Sequence, residues 1–258
     1  MVWIFADLDN TLLYSYKHDI GADKILVEMR QSQPQGYMTR KTYEYLAHLK
    51  KSEKMAVVPV TSRDKGHYDR IFGIHNLLRF PRYSIVLNGG ILLVDGKEVY
   101  TWTQETQEMV RDSLPEIEAA VDFMEADPEC GQKWQPNNLI AFCESSNPKA
   151  VAAKLEETLD MSKVHVYNDE HKVYVHPSRL SKGTAVERFV RRFGASATIG
   201  AGDFELTDAS MLNAVSQAII PYEFAEDLRA PNVIRAPKGA LFSDFVCDTL
   251  KRMEGQYA

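Results

Sequence analysis

The chain opens on VWIFADLDNTLL, residues 2 to 13, and this stretch constrains the fold more than any other. Val2, Trp3, Ile4 and Phe5 form an unbroken apolar run, and a run of that length reads as a buried strand. It leads directly into Asp7 and Asp9, with Asn10 and Thr11 close behind. Two carboxylates at the end of a buried strand cost free energy through desolvation and mutual repulsion. A chain that carries them there has a chemical reason to do so.

The rest of the pattern alternates strands and helices. Thr39 reads as the N-cap of a helix reaching Lys51, with Tyr43, Leu46 and Leu49 as its apolar stripe. MAVVPV (55–60) is a second buried strand ending at Thr61, Ser62 and Arg63, and SIVLNGG (84–90) is a third, stopped by glycines. ILLVDGKEVYTW then carries Asp95-Gly96 between two strand-like runs, a hairpin signal. A helix interrupted near Pro115, the strand NLIAFCES, the helix PKAVAAKLEETLD and a second hairpin, VHVYNDEHKVYVHP, follow. Hairpins imply an antiparallel sheet, unlike the flanks. Ser181-Lys182-Gly183-Thr184 then leads a helix, ATIGAG ends at Asp203, and further strand and helix candidates close the chain. The expectation is an α/β protein with a doubly wound, mostly parallel core sheet. The core domain is discontinuous, 1–89 and 178–258, with an α+β cap domain inserted at 90–177 and a flap-like insertion of two strands at about 14–38.

The chain has 258 residues, enough for one large domain or two modest ones. A net charge of −6 argues against a nucleic-acid surface. Cys130, Cys143 and Cys247 are widely spaced and odd in number, which favours a reducing compartment. No apolar segment approaches the ~20 residues a bilayer span requires. The expected setting is cytoplasmic, with no nucleic-acid or membrane partner.

In an open α/β sheet, ligands bind at the carboxyl ends of the strands. Asp7 and Asp9, Thr61 and Ser62, and Asp203 with Asp208 all fall there, and Lys182 opens the helix preceding the last of these strands. Two carboxylates ~4 Å apart repel by about 4 kcal/mol at an effective dielectric near 20. Several together therefore call for a cation. An all-oxygen donor set suits a hard ion, which points to Mg²⁺, above all beside a phosphate. One carboxylate can then attack phosphorus and a second, two residues on, can move a proton. Lys182 and the Thr61 hydroxyl would hold phosphoryl oxygens.

These residues resemble the motifs of the haloacid dehalogenase superfamily. Its first motif, DxDxT after a buried strand, matches Asp7-Leu8-Asp9-Asn10-Thr11. The second matches Thr61 in VTSR, where Ser62 and Arg63 stand against the T-G-R common in relatives with large caps. The third, a lysine, matches Lys182, and the fourth matches Gly202-Asp203 through Asp208, with one residue more than the common GDxxND and Thr207 where Asn is usual. The resemblance implies Asp7 as nucleophile and metal ligand, Asp9 as general acid/base and as a ligand through its backbone carbonyl, and Asp203 and Asp208 as further ligands of Mg²⁺. Thr61 and Lys182 would contact phosphate, while Thr11, Ser62, Arg63 and Asn88 are candidate substrate contacts. The inserted module looks like the superfamily's C2B-type cap, as in Cof-type sugar-phosphate phosphatases, sucrose-phosphate phosphatases and phosphomannomutase.

The implied function is a Mg²⁺-dependent phosphatase acting through an aspartyl-phosphate on a small phosphorylated metabolite, a sugar phosphate foremost. A phosphomutase would use the same residues, and a phospho-accepting or binding protein is the alternative from another class. Lys17, His18, Lys24, Arg30 and Gln35 of the insertion are further substrate candidates. Tyr100, Trp102, Trp134 and Tyr174 read as core rather than as a sugar platform.

Overall fold

The computed structural model describes residues 1–77, 82–169, 171–225 and 227–257. The chain begins with β1 (Val2–Ala6), β2 (Tyr14–Ser15), β3 (Lys24–Arg30), β4 (Gln33–Thr39), α1 (Arg40–Leu49), β5 (Met55–Pro59), α2 (Lys65–Asp69), α3 (Phe72–Leu77), β6 (Tyr83–Val86), β7 (Ile91–Val94) and β8 (Lys97–Glu98). It continues with α4 (Tyr100–Val110), α5 (Leu114–Ala126), β9 (Cys130–Trp134), β10 (Ala141–Ser145), α6 (Pro148–Thr158), β11 (Val164–Asn168) and β12 (Lys172–Pro177). It closes with α7 (Lys182–Phe193), β13 (Ala197–Ala201), α8 (Glu205–Asn213), β14 (Gln217–Ile220), β15 (Asn232–Arg235) and α9 (Phe242–Glu254). Two compact units result: Met1–Val99 with Ser181–Ala258, and Tyr100–Leu180.

In the first unit the sheet order is β15-β14-β13-β1-β5, and every pairing is parallel. A parallel sheet is covered on both faces, so its interior strands must be apolar throughout. β1 is one of these, paired between β13 and β5, and all five of its residues are buried. Trp3 packs edge-on against Phe189 of α7 and Tyr83 of β6, with ring centroids 5.1 and 5.6 Å away, and its indole N–H donates to the Gly194 carbonyl at 2.6 Å. α1 starts at the expected cap: the Thr39 hydroxyl accepts from the Thr42 N–H at 3.0 Å.

Three local readings change. The insertion forms three antiparallel strands, β2-β4-β3, where two were expected. Asp95 and Gly96 do make a tight turn, with φ of 49° and 75°. Yet β7 pairs along β6, from Tyr83↔Val94 to Val86↔Ile91, so residues 91–98 belong to the first unit and the second begins at Tyr100. Tyr100 to Trp102, read as strand, open α4, because Trp102, Thr106 and Val110 form a buried stripe at helical spacing.

The second unit is a four-stranded antiparallel sheet, β11-β12-β10-β9. Ile117, Ala120 and Met124 of α5 and Val151 and Leu155 of α6 cover one face, against Ala141, Cys143, Val173 and Val175. Pro115 lies in the first turn of α5, where its missing N–H costs nothing. The other face carries a stacked row, Trp134–Phe142–Tyr174–Tyr167, with successive centroids 4.9, 5.5 and 4.9 Å apart. Trp134 and Tyr174 therefore lie outside the apolar core, as does the exposed Tyr100, while Trp102 is fully buried. The cysteines are free and buried, and no described helix is long and apolar enough to cross a membrane.

Candidate active site

The ladder of β1 runs one residue beyond the strand, since the Asp7 N–H donates to the Ala201 carbonyl at 2.9 Å. That bond places Asp7 at the joint carboxyl ends of β1 and β13. The chain then turns back on itself: the Leu8 carbonyl accepts from Leu12 and Leu13, both at 2.9 Å, with Asn10 in the left-handed region at φ 57°. Leu8 is fully buried, so the turn anchors the two carboxylates that flank it.

Lys182 is the first residue of α7. Ser181 caps the helix in a reciprocal box, its hydroxyl accepting from the Thr184 N–H at 3.1 Å while the Thr184 hydroxyl accepts from the Ser181 N–H at 3.2 Å. Gly183 lets α7 approach α8, since a Cβ there would lie 2.4 Å from the Ser210 carbonyl oxygen. The buried Lys182 ammonium then donates to Asp7 Oδ1 and to Asp208 Oδ1, both at 2.6 Å. Asp208 uses its second oxygen to accept from the backbone N–H groups of Asp203 and Phe204, at 2.9 and 3.0 Å. Gly202 is the residue that permits this, because a Cβ there would stand 2.6 Å from Asp208 Oδ2. Asp203 Oδ1 accepts from the Thr11 hydroxyl at 2.9 Å.

One carboxylate oxygen from each of Asp7, Asp203 and Asp208 lies within 4.8 Å of the others. Against these three acids stands one ammonium, which leaves negative charge uncompensated. Burial raises the Asp7 carboxyl well above the usual range; Lys182 pulls it back, and Asp208, Asp203 and Asp9 add to the rise. The Asp203 carboxyl is pushed up to about 6, by burial first and then by Asp208. Burial pulls the Lys182 ammonium down, but Asp208 and Asp7 more than offset this and hold it charged. A cluster of oxygen donors with surplus negative charge is a fit for a hard divalent cation.

Asp9 turns to Arg63, which donates from Nε to Oδ2 at 2.8 Å and from Nη2 to Oδ1 at 2.7 Å. Arg63 was expected as a substrate contact; here its guanidinium is committed between two acids, Asp9 and Glu28. Thr61 is fully buried, its hydroxyl accepting from the Arg63 N–H at 3.2 Å and its carbonyl from the Asn88 N–H at 3.0 Å. Asn88 is buried beside it with φ 51°, and Ser62 is exposed. In the insertion Lys17, His18 and Arg30 are exposed, Lys24 lies over the Tyr37 ring at 4.8 Å, and the Gln35 amide donates to the Pro34 carbonyl. The residue missed from sequence is Glu28. Its signal was an acid inside the strand KILVEMR with a glycine on the strand opposite.

No family model matches the sequence, and no curated protein matches it either. Solved structures do. The sucrose-phosphatase of Synechocystis sp. PCC6803, solved with sucrose and phosphate, superposes with a TM-score of 0.60 at 16% identity, over 98% of this chain and 97% of that one. A subclass IIB sugar phosphatase of the haloacid dehalogenase superfamily gives 0.62 at 16% identity, over 98% and 99%. A trehalose-6-phosphate phosphatase of Aspergillus fumigatus gives 0.54 at 12% identity, over 96% and 92%. Over 96–98% of its length the chain has the fold of the sugar phosphatases of that superfamily, and at these identities the likeness is one of fold.

Proposed function

We propose that the protein is a Mg²⁺-dependent phosphatase that hydrolyses a small phosphorylated metabolite of the sugar-phosphate class. The observation that carries this reading is the junction of Asp7, Asp208 and Lys182 at the carboxyl end of β1, with Asp203 alongside. Asp7, Asp203 and Asp208, with the backbone carbonyl of Asp9, would hold the ion. Bound there, Mg²⁺ neutralises the carboxylates and withdraws charge from the phosphoryl oxygens.

Lys182 engages Asp7 Oδ1, so the attack is assigned to Oδ2. As the bond from this oxygen to phosphorus forms, the ester P–O bond breaks and Asp9, protonated on a lone pair that Arg63 does not engage, gives that proton to the departing oxygen. Water then attacks the aspartyl-phosphate, Asp9 takes its proton, phosphate leaves and the Asp7 carboxylate is restored. Lys182 and the Thr61 hydroxyl stabilise charge on the phosphoryl group during both steps. The sugar-phosphate class follows from the fold neighbours, which include a sucrose-phosphatase and a trehalose-6-phosphate phosphatase.

The test is phosphate release from a panel of phosphosugars, with Mg²⁺ and with a chelator, for the parent and Asp7→Asn. Turnover is expected with Mg²⁺ only, and only in the parent. Full activity in Asp7→Asn or in chelator would sink the mechanism. An isomerised sugar phosphate without free phosphate would indicate transfer back to substrate.

A further inference from the structure

Glu28 is a buried acid for which the chemistry above has no use. Two register shifts bracket it on β3, one between Leu26 and Glu28 and one between Glu28 and Met29. They break the alternation of the strand, so that Val27 and Glu28 are both buried. Glu28 faces Gly36 on β4, where a Cβ would lie 3.1 Å from both Glu28 Cβ and Oε2. The strand pair is built around this side chain. Glu28 accepts from Arg63 Nη1 at 2.9 Å and Nη2 at 3.0 Å, and from Arg70 Nε at 3.3 Å. The other edge of the same Arg63 guanidinium grips both oxygens of Asp9. Charges alternate in sign along Asp9, Arg63, Glu28 and Arg70.

We infer that Glu28 is a positioning residue for proton transfer: by fixing Arg63 it holds the Asp9 carboxylate in one orientation, which makes the 14–39 insertion a working part of the active site. The inference rests on the phosphatase reading. A planar guanidinium forked on two edges has one orientation, and it imposes one plane on the carboxylate it holds. With Glu28 neutral the second fork is lost, and Arg63 is free to carry Asp9 out of line. Proton transfer is sensitive to such misplacement.

Leaving groups of different quality test this. A 4-nitrophenolate leaves without a proton, whereas phenolate depends more on the donor, and the two esters are otherwise alike in size. We would measure kcat/KM, which reports transfer to Asp7, for phenyl phosphate and 4-nitrophenyl phosphate in the parent and Glu28→Gln. The expected result is a ~10-fold or greater loss on phenyl phosphate with little change on 4-nitrophenyl phosphate. Both esters are assayed on one preparation, so partial unfolding lowers both alike, and Glu28→Asp should recover part of the difference. Equal losses on the two esters, or none, overturn the positioning role. A parent protein that releases phosphate from neither ester nor any phosphosugar overturns the phosphatase reading and this role with it.

Discussion

Replacing Lys182 with methionine keeps the length of the side chain and removes the ammonium from among the carboxylates. Its Nζ stands 2.6 Å from oxygens of both Asp7 and Asp208. At an effective dielectric near 20, each contact is a gross attraction of about 6 kcal/mol. Burying the ammonium costs several kcal/mol in return, and breaking a buried pair by removing one partner costs a net ~3–5 kcal/mol. At ~2–4 °C per kcal/mol for a chain of this size, the metal-free variant should melt about 10 °C below the parent at alkaline pH. The pH dependence has a definite sign. The Asp7 carboxyl is already raised in the folded protein, and losing Lys182 raises it further. The folded variant then binds protons that the unfolded chain does not, so its stability recovers as pH falls and the gap to the parent narrows. Saturating Mg²⁺ should narrow it as well. Turnover should fall by ~10²–10³, the usual cost of one group that stabilises developing charge. Calorimetry of both proteins across pH, with chelator and with Mg²⁺, makes the comparison. A gap that ignores both pH and Mg²⁺ would mean that Lys182 contributes packing and not charge, and would refute the reasoning.

Two further outcomes follow from the same geometry. With its carboxyl pushed up to about 6, Asp203 binds a proton as pH falls below that value, while the unfolded residue waits until about 3.8. Between these limits the metal-free fold gains stability on acidification, and Mg²⁺ loses a ligand; the melting-temperature rise given by Mg²⁺ should therefore shrink below pH ~6, and a rise that stays constant from alkaline to acidic pH counts against the site. Gly202→Ala would set a Cβ 2.6 Å from Asp208 Oδ2 and so displace the carboxylate that holds the N–H groups of Asp203 and Phe204. Each lost bond costs ~1–3 kcal/mol, so both the melting temperature and the affinity for Mg²⁺ should drop, and a variant with parental values of both would exclude this role for the glycine.

What could be read from the sequence was set by local pattern. β1 is legible because an interior parallel strand must be apolar on both faces, and α1 and α7 because Thr39 and Ser181 cap them. β9 was not legible: CGQKW buries only Cys130 fully and offers no alternation to detect. The start of α4 failed for a different reason. Val99-Tyr100-Thr101-Trp102 follows a hairpin turn and is rich in strand formers, but β8 ends after two residues and Trp102 is buried from a helix. Tertiary packing overrode propensity there.

The site divides along the same line. Asp7, Asp203 and Lys182 stand at strand ends and at a helix start, and the winding rule of an α/β sheet assembles such positions whatever lies between them. Their convergence can be read from order alone. Glu28 obeys no such rule, because its burial depends on two register shifts and on the absence of a side chain at Gly36 on the neighbouring strand. A polar residue in a strand is expected on the solvent face, and a one-residue slip is enough to reverse this. Arg63 shows what that slip changes. Alone after Thr61 it resembles a cation awaiting substrate, yet with Glu28 buried behind it the same guanidinium is bound on two edges and faces Asp9. The chemistry of an arginine at a strand end is thus decided by what stands on its far side, and here that residue comes from an insertion whose pairing pattern no strand-end rule describes.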